Sequence, residues 1–146
     1  MSDTPIRLLC HCGTLRQAVR AITKVYDAKL SRHGIKITQF TILSVVKERG
    51  RVTTGELAKG LLMDSTTLSR TLATLKRAGL VDCEVGAEDL RERYWRVTRL
   101  GSSTLNKSQK DWQDAQEELR MAAGMQNVRD IDARAYDVAS RLASLS

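Results

Sequence analysis

The sequence has 146 residues, with 24 Lys+Arg against 17 Asp+Glu and a formal net charge of +7. That is room for one domain, or one domain with arms, around a modest core. With 42% hydrophobic residues the chain is too apolar to be disordered, and 4% aromatics argues against an aromatic base-stacking sheet for single-stranded nucleic acid.

Leu15, Val19, Ile22, Tyr26 and Leu30 recur at steps of four, three, four and four. That spacing predicts an amphipathic helix over 14–32, ended by Gly34, with Arg16, Arg20, Lys24, Lys29 and Arg32 mostly off the apolar stripe. Thr38 is the expected N-cap of a second helix that buries Phe40, Leu43 and Val46 or Val45 and closes at Gly50. Thr53-Thr54-Gly55-Glu56 reads as a capping box before a short helix holding Leu57, Ala58 and Leu61. Asp64-Ser65 starts the next helix, with Leu68, Leu72 and Leu75 on its apolar side and Gly79 after its end. The alternating segment 80–85, the polar turn 86–89 and the return strand 93–97 predict one β-hairpin. Cys83 on that hairpin is expected to serve packing.

Thr98 then caps a long helix reaching about Ala123, in which Leu105, Trp112 and Leu119 repeat every seven residues. Asn127 is the expected cap of a last helix, where Val128, Ile131, Ala135, Val138, Leu142 and Leu145 step by three and four. These heptads point to a helical dimer interface. Asp111, Asp114, Glu117 and Glu118 are expected on solvated faces of the long helix.

The charge is uneven. Residues 1–50 hold 9 Lys+Arg and 3 Asp+Glu (net +6), residues 51–100 hold 9 and 7 (+2), and residues 101–146 hold 6 and 7 (−1). A basic front with a near-neutral amphipathic tail suggests a polyanion partner plus an assembly element. No segment is apolar enough to span a membrane and no signal region is evident, so the expected compartment is the cytoplasm. The 3 cysteines are expected as thiols there.

The informative stretch is 53–98. A short helix, a tight turn and a second helix that begins with small hydroxyl residues form a helix-turn-helix. Ser65, Thr66, Thr67, Ser69 and Arg70 fall on the exposed start of the second helix. Short hydroxyls let the backbone approach base edges and phosphates, and Arg70 can fork onto a guanine edge or bind a phosphate. Lys76 and Arg77 at the far end would face the DNA backbone. Arg91, Arg93, Arg96 and Arg99 cluster on the return strand, with Arg91 near the tip, where it can enter a minor groove. Asp89, two residues earlier, is placed to orient the Arg91 guanidinium.

Three sets of residues resemble the MarR family of bacterial winged-helix regulators. Asp89-Leu90-Arg91, Val97-Thr98 and Gly101 match its D-x-R…L-T-x-x-G wing pattern. Thr67-Leu68-Ser69-Arg70, Leu75 and Gly79-Leu80-Val81 look like its recognition helix and exit. Leu30 to Ile35 with Thr38-Gln39-Phe40 is similar to its join between the first and second helices. Leu90 stands where a basic residue is common, and Val97 replaces the usual Leu.

The resemblance implies a mainly α fold with a small β-hairpin wing (α+β): an N-terminal arm and first helix (1–35), a winged helix-turn-helix lobe (36–99) and C-terminal helices (100–146). It implies a homodimer joined through the first helix and the last two, with Leu15, Val19, Trp112, Leu119, Ile131, Val138 and Leu142 at the interface. It implies binding to a pseudo-palindromic operator in double-stranded DNA in a bacterial or archaeal cytoplasm. The usual role is repression, relieved when a small aromatic or phenolic effector binds.

A smaller branch of the family senses peroxide through one cysteine near the start of the first helix. Cys12 resembles that cysteine and Tyr26 one of its tyrosine partners, while Arg16 stands where another tyrosine is expected. A metal on Cys10, His11, Cys12 and His33 is a further option, but no second ligand pair stands at zinc-finger spacing. No cofactor is expected, and no catalytic set assembles: there is no G-x-S-x-G, no phosphate-cradling glycine loop and no H-E-x-x-H. The competing class is a winged helix that binds a protein, for which a more apolar wing is expected.

Overall fold

The computed structural model describes residues 4–145, so positions 1–3 and 146 of the expected outer segments lie outside the described residues. Helix α1 spans His11–Leu30 and passes through a single 3-10 turn, Ser31–His33, to α2, Ile37–Arg49. Strand β1 (Val52–Thr53), α3 (Thr54–Leu61), α4 (Ser65–Arg77), β2 (Val81–Val85) and β3 (Arg93–Val97) follow. The long α5 (Arg99–Ala123) and then α6 (Met125–Ala143) complete the chain.

The expected caps hold in the middle of the chain and shift at two ends. Thr53 Oγ1 accepts from Glu56 N while Glu56 reaches back to Thr53 N at 2.8 Å, so the capping box is complete. Asp64 accepts from Thr67 N at the start of α4, and Thr98 from Gly101 N at the start of α5. The N-cap of α2, however, is Lys36 rather than Thr38. Asp27 of α1 accepts from Ile37 N at 2.7 Å and Gln39 from Lys36 N, so donors at this helix start are satisfied from outside Thr38. Asn127 does not cap α6 either: α6 starts two residues earlier, after Gly124 at φ 86, and Asn127 donates to Ala123 O.

The sheet is three-stranded and antiparallel, in the order β1-β3-β2, where the sequence predicted two strands. Strand β1 is only two residues long and carries no periodicity to detect. It pairs Val52 with Trp95 and Thr53 with Tyr94, and β2 pairs Cys83 with Trp95. The Trp95 indole donates to Thr54 Oγ1 at 2.9 Å, which ties the hairpin to the first turn of α3. Cys83 packs half-buried against the core, as expected.

One apolar core runs through this lobe. Leu57 of α3, Leu68, Leu72 and Leu75 of α4, Leu43 and Val46 of α2 and Val81 of β2 are essentially closed to solvent. Truncating one such leucine to alanine costs about 2–5 kcal/mol. Gly101 explains the glycine of the wing pattern. A Cβ there would run into the Leu80 carbonyl and sit 2.8 Å from Val97 Cγ1, so only glycine lets α5 start this close to the α4–β2 turn. The turn between α3 and α4 passes through Leu62 at φ 50, a left-handed conformation uncommon for a side-chain-bearing residue.

The other end of the molecule is open. Leu15 and Val19 of α1 are 56% and 60% exposed, and Ile131, Val138 and Leu142 of α6 are about half exposed. Only Val128 of the α6 stripe is buried. Trp112, expected at the dimer interface, is half-buried within the single chain. It stacks on Phe40 with ring centroids 5.8 Å apart and packs against the core, because α5 crosses α2 at that point. Leu119 is half-buried on α5.

Asp111 also differs from its expected solvated position. It is 5% exposed and accepts from Arg32 Nε at 2.7 Å, from the second Arg32 nitrogen and from His33 Nε2. Hydrogen bonding to Arg32 first, then to His33, holds its carboxyl below the ordinary aspartate range. This pairing, buried at its Asp111 end, fastens the α1–α2 turn to the middle of α5. Asp114, Glu117 and Glu118 do lie near solvent, bridged to Lys110, Arg120 and Lys29.

Candidate nucleic-acid interface

Helix α4 presents two faces that follow from its sequence. Leu68, Leu72 and Leu75 turn inward, and Ser65, Thr66, Thr67, Ser69 and Arg70 are all exposed at its N-terminal end. The Thr67 hydroxyl is engaged by the Asp64 carboxylate, which that bonding holds below its ordinary range. The side chains of Ser65, Thr66, Ser69 and Arg70 have no hydrogen-bond partner among the described residues. A helix start carrying hydroxyls and one arginine with free donors is suited to phosphates and base edges. Arg77 at the other end donates to Thr74 Oγ1 at 3.2 Å, a weak tether on an exposed side chain.

The wing is built by hydrogen bonds within its own turn. Glu92 N donates to Asp89 O and Gly86 N to Glu92 O, both at 3.1 Å. Gly86 is enclosed there, since a Cβ would lie 2.6 Å from the Asp89 carbonyl. Asp89 does not hold the Arg91 guanidinium, as the sequence suggested. Its carboxylate accepts the Arg91 backbone N–H at 2.9 Å, a turn-forming bond that leaves the guanidinium free. Arg93 donates to the Leu90 and Glu92 carbonyls and so stitches the turn. Arg91 and Arg93 are both exposed, but Arg91 has a free side chain and Arg93 is engaged structurally.

The wing's base has residues that sequence reasoning passed over. Arg51 lies 3.4 Å above the Tyr94 ring and near Glu84, and Glu84 also faces Arg96 at 3.6 Å. Tyr94 donates to Glu92 at 2.6 Å, and that bond raises the phenol above its ordinary range. The only signal available was cross-strand pairing, which needs β1 to be known first.

Between α2 and α5, Phe40, Thr41, Ser44, Val45, Gln109 and Trp112 line a concavity of about 360 Å³. Cys10 and Cys12 are exposed thiols at the entry to α1. Tyr26 lies 14 positions beyond Cys12 on the same helix, roughly 21 Å along its axis. It is buried and donates to Gln116 of α5, and burial raises its phenol above the ordinary value. The two residues do not meet within one chain. His33, considered as a metal ligand, is bonded to Asp111. Among the described residues no helix is long and apolar enough to cross a membrane.

A helix-turn-helix backed by a three-stranded winged sheet, with a long helix leading away from it, defines a winged helix-turn-helix protein. The sequence profile of the MarR family matches residues 33–92. The M. tuberculosis transcriptional regulator MosR, solved in complex with DNA, is 32% identical and superposes with a TM-score of 0.77, over 90% of this chain and 97% of that one. A mutant MarR from E. coli complexed with operator DNA is 22% identical, with a TM-score of 0.76 over 86% and 90% of the two chains. Another structure of a MarR protein, 20% identical, covers 99% of this chain and 100% of its own, with a TM-score of 0.79. No curated protein matches. The chain belongs to the MarR family of transcriptional regulators.

Proposed function

We propose that this regulator is a homodimer that binds a pseudo-palindromic site in double-stranded DNA and acts there as a repressor in the cytoplasm. The observation that carries this reading is the exposed, unpartnered start of α4 beside a wing that leaves Arg91 free. Ser65, Thr66, Thr67, Ser69 and Arg70 take the major groove, Arg91 the minor groove, and Arg77 the flanking backbone. Asp89 and Arg93 support the wing from within. A DNA complex of a relative 32% identical supports the same reading. The half-exposed apolar stripes of α1 and α6 supply the surface for a second chain.

A small aromatic effector suits the concavity walled by the stacked Phe40 and Trp112. A ligand wedged there bears on α2 and α5 together and is thereby coupled to lobe orientation. The protein works by binding and not by catalysis.

The test is Arg91→Ala, read by fluorescence anisotropy on a mixed-sequence duplex across a salt series. Loss of one phosphate contact is expected to reduce the magnitude of the log–log salt slope by about 0.9, with the melting temperature unchanged. Wild-type affinity and slope in the variant remove Arg91 from the interface. An absence of duplex binding by the wild type at low salt favours a protein partner for the wing.

A further inference from the structure

A groove between the start of α2 and the exposed side of α4 encloses about 350 Å³ and is contiguous with the reading face, since Thr67 and Arg70 line it. Lys36, Thr38 and Gln39 form the other wall. No carboxylate lines this groove, whereas the two concavities beside the wing and α3 hold Glu88, Asp89 and Glu92, or Glu48 and Glu56.

Its donors are free. Lys29, Arg32 and Lys110 elsewhere each face a carboxylate, but among the described residues neither Lys36 nor Arg70 has an acidic partner. Thr71 and Thr74 direct their protons to the Thr67 and Arg70 carbonyls, so they present only lone pairs to the groove. Gln39 fixes its amide oxygen on Lys36 N, and this turns its NH2 into the remaining donor. The Lys36 ammonium, the Arg70 guanidinium, the Gln39 amide and the Thr38 hydroxyl therefore line one groove that holds no carboxylate and two positive charges without an acidic partner. Two adjacent unpaired cations repel each other, and an anion between them turns that repulsion into attraction.

We propose that Lys36 and Thr38 of α2, together with Arg70 of α4, seat a backbone phosphate of the bound duplex next to the bases read by the start of α4. The proposal rests on the DNA-binding reading above and extends the interface to an element outside the helix-turn-helix and wing. A phosphate gripped from both helices fixes the angle at which α4 enters the groove, so Lys36 sets register without reading sequence.

The experiment is anisotropy on a mixed-sequence duplex at several salt concentrations, with Lys36→Gln, Thr38→Val and, as a control of equal charge loss, Lys110→Gln on α5. Lys36→Gln is expected to lower the magnitude of the salt slope by about 0.9 and to weaken binding evenly across duplex sequences. Thr38→Val is expected to weaken binding less, and Lys110→Gln to leave the slope unchanged. All three positions are exposed or half-exposed, and matched melting curves establish that folding is intact. Wild-type slope and affinity in both α2 variants, with the wild type binding duplex normally, overturn this proposal alone. Failure of the wild type to bind any duplex overturns the DNA reading with it. Lys36-dependent binding of inorganic phosphate without a change in the duplex slope makes the groove a free-anion site and likewise overturns it.

Discussion

The winged lobe and the helical end handle the same kind of sequence pattern in opposite ways. In the lobe, the stripe Leu68, Leu72, Leu75 is closed off entirely by α2, α3 and the sheet. In α6, a longer stripe of the same period leaves Ile131, Val138 and Leu142 about half exposed. Periodicity says that a face must be covered, and only the neighbouring elements say by what. The lobe closes its stripe within one chain, and the helical end leaves its stripe open.

The strongest way to break that contrast is to charge the open stripe. Val138→Asp with Leu142→Asp is expected to weaken self-association by roughly 100-fold or more, since buried apolar anchors dominate interfaces of this kind. Sedimentation velocity would show monomers, with the lobe's circular dichroism retained. An unchanged sedimentation coefficient would remove α6 from the interface.

Gly101→Ala attacks the other side of the contrast. The added methyl meets the Leu80 carbonyl, and overpacking against backbone costs about 1–3 kcal/mol, occasionally more. Urea denaturation should show that loss by the same amount at every protein concentration, unlike the α6 variant. A change within about 0.5 kcal/mol, the range of ordinary surface substitutions, would mean that α5 shifts without cost.

Asp111 sits where the two regions join, and its effect is the smallest of the three. Its carboxyl is held low by Arg32 and then His33, so the folded state takes up this proton only at a lower pH than the unfolded chain. The stability it contributes is present above the unfolded value near about 4 and is lost as pH falls through the folded one. Asp111→Asn should therefore be less stable at neutral pH, and its melting temperature should decline less steeply on acidification below about pH 5. Parallel acid slopes in both proteins would sink this assignment.

Much of the lobe was legible because its signals are local. The capping box at Thr53 and Glu56, Asp64 before α4, Thr98 before α5 and the hairpin all depend on residues a few positions apart. What escaped depends on distant partners. Asp111 reads as one more surface acid on a long helix until Arg32 and His33, 79 and 78 positions away, are brought to it. Strand β1 exists only because β3 is there to pair with it. Thr38 looks like a cap by residue type, yet Asp27 from α1 already serves the helix start. For the candidate interface, the hydroxyl-rich start of α4 was visible in the sequence. The roles of Asp89 and Arg93 were not, because their partners are a backbone N–H and backbone carbonyls, which carry no side-chain signature.

The Gly101 contact has a mechanical side. Helix α5 runs 25 residues, roughly 37 Å, from that point to the turn before α6. Pressed against the Leu80 carbonyl with no side chain between, its first turn acts as a fulcrum. About that pivot, a tilt of about 5° moves the far end, at the turn before α6, by roughly 3 Å. A displacement of a few ångströms at the helical end is thereby geared down to a small change of helix direction beside the lobe, and a glycine sets the pivot.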